Sequence, residues 1–224
     1  MAAAAFPAAG SQLERYAARL NAVEINSSFY RPHRRATYER WATSAPDDFA
    51  FAVKLPKAVT HEARLIGVAA PLDRFLEETD GLGAKRGPIL IQLPPSIAFD
   101  SSIAADFFAL LRDRTANDLA CEPRHLSWFA PEAENLLISY RVARVAADPP
   151  PAAGAGEAGG WPGLRYTRLH GSPQIYRSSY DAATIDRHAA GARKAGVESW
   201  TIFDNTMTGA ATLNALAMRA ALQR

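Results

Sequence analysis

The sequence predicts an α/β fold of the TIM-barrel type, a (β/α) barrel that lacks its first strand. Three observations carry this expectation. Seven short apolar runs recur along the 224 residues, their starts about 29 residues apart, which is the size of a βα repeat. The segments between them carry apolar residues at helical spacing. The runs are also too continuously apolar for a sheet with one wet face, so both faces must be covered, as in a parallel sheet wrapped by helices. One domain over residues 1–224 accommodates this, since about 200 residues suffice for a single barrel.

The elements follow in order. Ser11–Asn21 places Leu13, Tyr16, Ala17 and Leu20 on one helical face, and Ser11 with Glu14 forms a capping box that fixes its start. Val23–Phe29 is the first strand and Phe49–Leu55 the second. Pro71–Leu82 is a helix with Leu72, Phe75, Leu76 and Thr79 on its buried side. Strand Pro88–Leu93 leads to helix Ser101–Arg112, whose apolar face is Ala104, Phe107, Phe108 and Leu111. Strands Leu119–Arg124, Val142–Ala147, Leu164–His170 and Ser199–Asp204 complete the set.

Between the fifth and sixth runs, Pro149–Gly163 is rich in Pro, Gly and Ala and reads as a flexible surface loop. Its GxGxxG match at Gly154, Gly156 and Gly159 has no strand directly before it and no helix directly after, so it is not a dinucleotide fingerprint. A closed barrel needs eight strands, and Met1–Gly10 does not read as the eighth. Val23–Phe29 and Ser199–Asp204 are therefore expected to carry unpaired edges, a route to self-association. The expected cause is an N-terminus truncated at the loop after the missing strand.

Composition narrows the function classes. A net charge of +2 implies no long-range attraction to nucleic acid or to a membrane. No apolar run approaches 18 residues, and the first ten residues lack a basic region and a long apolar core, so the expected location is the cytoplasm. Cys121 is the sole cysteine, which excludes an intramolecular disulfide and a thiolate zinc cage. Arginine supplies 21 of the 25 basic residues.

Strand alternation selects the candidate site. The apolar face of each run must meet the helices, so the other face lines the interior. That face carries Glu24, Asn26, Lys54, Gln92, Glu122, Arg124, Asp148, Arg168, His170 and Asp204. They lie toward the carboxyl ends of the strands, where barrel active sites are built. So many buried charges need mutual pairing or a ligand. Cys121 falls on the helix-facing side and reads as a packed thiol. His61, after the Lys54–Lys57 strand end, could reach the mouth, as could His125 and Trp128, the latter as a stacking platform. There is no GxSxG, HExxH, Walker A or EF-hand pattern.

Several of these residues stand in motifs that resemble a known family. Val23–Tyr30 (VEINSSFY), Phe51–Pro56 (FAVKLP) with Thr60-His61, Gln92–Pro95 (QLPP), Glu122–Trp128 (EPRHLSW), Arg168–Gly171 (RLHG) and Phe203-Asp204-Asn205 with Asn214 occur in that order. Together they resemble the YecE-like family, also called domain of unknown function 72, from about Leu13 to Arg219. The resemblance implies a TIM-barrel-like fold and no particular reaction. Two departures stand out: the family's opening strand with its Gly-Trp motif is missing, and Asp204-Asn205 stands where the family often has Asn-Asn.

The leading functional expectation is an enzyme doing acid–base chemistry on a small anionic ligand, without a cofactor, as a hydrolase, lyase or isomerase. Arg124, Arg168 and Lys54 would hold a phosphate or carboxylate, and Glu122 and His170 would exchange protons. Glu24, Asn26, Gln92, His125, Trp128 and Asn205 would line the ligand. One alternative is a metal-dependent phosphodiesterase or nuclease-like hydrolase using Glu122, Asp148, His170 and Asp204, against which the three cations of the same ring count. The other is a non-catalytic barrel that binds a ligand or partner.

Overall fold

The computed structural model describes residues 5–224. Helices alternate with mainly parallel strands. In chain order these are α1 (Gln12–Ala17), β1 (Ala22–Ile25), α2 (Ser27–Tyr30), α3 (Arg35–Ser44), β2 (Ala50–Lys54), α4 (Ala69–Thr79), β3 (Arg86–Gln92), α5 (Ser101–Arg112), β4 (Leu119–Glu122), α6 (Pro131–Ser139), β5 (Val142–Arg144), β6 (Ala146–Asp148), β7 (Gly159–Gly160), β8 (Leu164–Leu169), α7 (Ala182–Lys194), β9 (Glu198–Phe203) and α8 (Ala210–Leu222). A π-helical turn follows β2 at Ala58–Glu62, and 3-10 turns precede β3 and follow β4.

The seven expected strands are all present, with β5 and β6 as two halves of the fifth. Strand order is β1-β2-β3-β4-β5 in one ladder and β6-β8-β9 in the other, all parallel. The two ladders meet at Val145, between β5 and β6. Among the described residues β1 pairs only with β2 and β9 only with β8, so the TIM-barrel-like sheet stays open at this seam. Between the two edges lies a cavity of about 1010 Å³, lined by residues that include Ala22, Glu24, Trp200, Ile202 and Asp204.

The sheet separates two apolar layers. Outside it, Phe51, Val53, Ile89, Ile91, Leu119 and Cys121 meet Leu72, Phe75, Phe107, Phe108 and Leu111 of the helices. Helix α5 starts where Asp100 accepts the N–H groups of Ser102 and Ile103, and it spans the expected residues. Inside, Ala52, Leu90, Ala120, Ala143, Val145, Tyr166 and Trp200 fill the barrel floor. Small alanines there leave room for two aromatic rings, which stack with centroids 6.2 Å apart.

The first run departs from the expectation. The strand stops at Ile25, and Ser27–Tyr30 turns into a short helix. Ser28 fixes the turn by bonding the carbonyls of Ile25 and Lys54. The Pro/Gly/Ala-rich segment is anchored at several points. Gly159–Gly160 pairs antiparallel with β5, and the Ala147 N–H donates to the Ala155 carbonyl. Arg144 binds Glu134 and the carbonyls of Gly154 and Glu157. Glycine is needed at Gly160, where φ is +65° and a Cβ would collide with the Val142 carbonyl oxygen. Arg112 does similar work, donating to the carbonyls of Asn117, Tyr140 and Arg141, as does Arg193 toward the Ala221 carbonyl.

Candidate functional site

Above the apolar floor, the inward side chains at the strand ends form one charged layer. In-register neighbours explain the convergence, because paired residues of parallel strands share a face: Glu24 lies beside Ala52, Gln92 beside Glu122, and Arg168 beside both Ala147 and Ile202.

Arg168, on β8, is the hub and is fully buried. Its Nε and Nη2 donate to the two oxygens of Glu24 at 3.1 and 2.8 Å. Nη1 donates to Glu122 at 2.6 Å, and Nη2 also reaches Asp204 at 3.2 Å. The Tyr166 hydroxyl donates to Glu24 at 2.8 Å. Three carboxylates from β1, β4 and the end of β9 thus share one guanidinium, which supplies the fork geometry they need.

Glu122 is the second crowded group. Besides Arg168 it accepts from Gln92 at 3.0 Å and from Nε and Nη2 of Arg124 at 3.1 and 3.0 Å. Burial alone would raise its pKa, but Arg168, His170 and Arg124 hold it well below the usual carboxylate range. An ionised carboxylate with its lone pairs occupied serves as a fixed charge rather than as a proton carrier.

His170 has the opposite balance. Burial disfavours its charged form, yet Asp204 and Glu122 raise its pKa above the ordinary imidazole value. Nδ1 lies 3.1 Å from Asp204 Oδ2. Nε2 stands 3.5 Å from Glu122 Oε1, where charge acts but a hydrogen bond is not formed, and it is buried without a partner. Tyr176 sits edge-on to the ring at 6.0 Å. Asp204 itself is lowered: burial opposes this, and His170 and Arg168 outweigh it.

Lys54 closes the layer on the β2 side. It is buried, its Nζ lies 4.0 Å over the Phe29 ring, and none of the ion pairs of the layer includes it. Burial, then Arg168, lowers its pKa to about 8 against the pull of Glu24 and Glu122. His61 packs edge-on to the same Phe29 ring at 4.9 Å and binds Thr60 through Nδ1. Its pKa is lowered by burial and then by Lys54 and Arg124. Asn26 brings Oδ1 into the layer with no partner.

Four expected residues stand elsewhere. Asp148 pairs in register with Leu169, which packs against the helices with Tyr180, so its side chain faces away from Glu122 and His170. Alternation from Val142 requires this, and the strand-end position alone misled. Among the described residues no group of three or more His, Cys, Asp or Glu is placed to hold a metal, so the expected set Glu122, Asp148, His170 and Asp204 is not assembled. His125 turns back to cap the 3-10 turn through Ser127. Trp128 is packed on Phe99 and donates to the Ile97 carbonyl, so it is core and not a stacking platform. Asn205 is buried and joins Ser178 to Asn214 of α8. Residues that sequence reasoning missed are Phe29, Tyr166 and Tyr176. Tyr166 shares the interior face with Arg168, and its hydroxyl was the available signal.

The family model described as protein of unknown function DUF72 matches residues 4–224. The chain belongs to the DUF72 family. The UPF0759 protein YecE of Escherichia coli is 32% identical over 84 residues, covering 38% of this chain and 31% of YecE, so less than a third of that relative is matched. A DUF72 family protein of Enterococcus faecalis superposes with a TM-score of 0.82 at 21% identity, over 96% of this chain and 89% of that one. One from Thermotoga maritima gives 0.74 at 23% identity, over 91% and 85%. These likenesses place the TIM-barrel-like fold within DUF72. No helix among the described residues of this DUF72 chain is long and apolar enough to cross a membrane.

Proposed function

We propose that the barrel mouth binds a small ligand bearing phosphate or carboxylate and moves a proton on it. Lys54 and Arg124 grip the anion, and His170 is the acid–base group. The observation that carries this reading is the unpartnered cationic donor capacity at the mouth. Among the described residues the Lys54 ammonium and Nη1 of Arg124 have no hydrogen-bond or carboxylate partner, while Arg168 is spent on three carboxylates. A buried cation without a counter-charge is costly, and an incoming anion supplies it. The unpartnered Nε2 of His170 and Oδ1 of Asn26 offer the remaining contacts, and Glu24 and Gln92 hold the frame. In this arrangement Arg168 and Glu122 position the site and His170 exchanges the proton. Acid–base chemistry of this kind belongs to hydrolases, lyases and isomerases. Turnover separates an enzyme from a barrel that only binds.

The test is a thermal-shift and calorimetric titration with inorganic phosphate. Saturation at 100 times Kd stabilises a one-site protein by about 2.7 kcal/mol. Phosphate is expected to raise Tm, and Arg124→Ala with Lys54→Met is expected to abolish the rise. No rise with phosphate, together with a fall of Tm in EDTA, would replace this reading by the metal-dependent hydrolase.

A further inference from the structure

We propose that Lys54 is a catalytic amine that condenses with the aldehyde or ketone carbon of the ligand, a step that rests on the anion-binding reading above and narrows the ligand to an anionic carbonyl compound. The geometry singles out this lysine among four. Lys57 is half-exposed and paired with Glu62, and Lys85 donates to the carbonyls of Ala42 and Ala45. Lys194 lies in the last turn of α7. Lys54 alone is buried at a strand's carboxyl end, with an aromatic face beside it and no carboxylate on its Nζ. Arg168 and Arg124 act on it as like charges, and His61 shares the Phe29 ring. Burial and neighbouring cations are the two devices that lower an amine's pKa, so that a reactive neutral fraction exists near neutral pH. The value of about 8 agrees with that placement.

The step balances without a further reactant. The Nζ lone pair adds to the carbonyl carbon while the carbonyl π pair moves to oxygen, which takes a proton. Nitrogen loses a proton, giving a neutral carbinolamine. The C–O bond then breaks as the hydroxyl takes up a proton and leaves as water, the nitrogen lone pair forms C=N, and nitrogen gives up its last proton to replace the one taken. One water is released per imine and nothing is oxidised or reduced. Arg124 would hold the ligand's anionic end meanwhile.

The experiment is reductive trapping of the intact protein with cyanoborohydride and glyoxylate, read by peptide mass mapping, with neutral glycolaldehyde as a parallel arm. Glyoxylate is expected to label Lys54 at neutral pH about tenfold or more over Lys57, Lys85 and Lys194. Lys54→Arg, checked for folding by circular dichroism, should lose that adduct, because a guanidinium does not condense with a carbonyl under these conditions. Labelling spread over the lysines according to exposure would overturn the proposal, even if phosphate binds. Equal labelling of Lys54 by glyoxylate and glycolaldehyde, with no phosphate effect on Tm, would keep the amine and remove the anion reading. A foldable Lys54→Met that forms the same yield of adduct elsewhere would also overturn it.

Discussion

The closed wall of the barrel and its open seam are made of the same kind of strand but are stabilised differently. In the wall, β2, β3 and β4 each have two parallel neighbours, and Val53, Ile91 and Cys121 are fully buried. At the seam, β1 and β9 have one neighbour each among the described residues, and Val23 and Ile202 are only partly buried. What joins the two lips is Arg168, which binds Glu24 on β1 and Asp204 at the end of β9. Backbone ladders hold the wall, whereas side chains bridge the seam, chiefly Arg168 with the Tyr166 hydroxyl beside it on Glu24. The candidate site is therefore also a structural tie, and changes to it act on both.

The largest expected effect is on that tie. Arg168→Met takes the one paired cation from buried Glu24 and a partner each from Glu122 and Asp204, and should cost about 3–5 kcal/mol in urea unfolding. Hydrogen exchange should rise first in β1 and β9. Exchange that rises equally across β2–β4 would erase the distinction between the regions. Next comes the wall: Ile91→Ala should cost about 2–5 kcal/mol through a cavity that cannot collapse, with seam exchange unchanged. A smaller effect is pH-dependent. His170 has a raised pKa in the folded state, so its contribution is complete below its ordinary value and is lost as pH rises through the raised one. Asp204 is lowered, so its contribution is lost as pH falls through that depressed value. His170→Gln should thus destabilise most in mildly acidic buffer and least in alkaline buffer, and a flat difference across that range would refute the pairing. The smallest effect is Ile202→Ala at the seam, about 1 kcal/mol or less, because half-exposed side chains leave little cavity. A cost equal to that of Ile91→Ala would show that the seam is packed as tightly as the wall.

Much of this was legible because strand alternation is a rigid rule. Wherever the backbone is extended and one face is forced outward by helices, the other face is known, and Glu24, Lys54, Gln92, Glu122, Arg168, His170 and Asp204 converge as alternation requires. The rule lapses where the strand ends. His125 and Trp128 follow Pro123 in turn conformation, so a nearby hydroxyl and a nearby carbonyl decided their directions. Asn205 was drawn aside by Asn214, a partner nine residues away that no local pattern announces. Phe29 left the strand with the helical turn at Ser27 and came under Lys54 for that reason. Which charges would pair, and so which would be left over, depended on distances that spacing does not contain.

The carbonyl-binding arginines separate the chassis from the chemistry. Arg112, Arg144 and Arg193 brace loops and a helix end, and their acceptors are mostly main-chain oxygens that do not titrate. Lys54, by contrast, has its pKa lowered to about 8, and Asp204 and Glu122 raise that of His170 against burial. Raising the pH past 8 should discharge Lys54 while the supports of the mouth stay clamped. An alkaline titration followed by side-chain resonances can therefore report on these two groups in an otherwise unmoved scaffold.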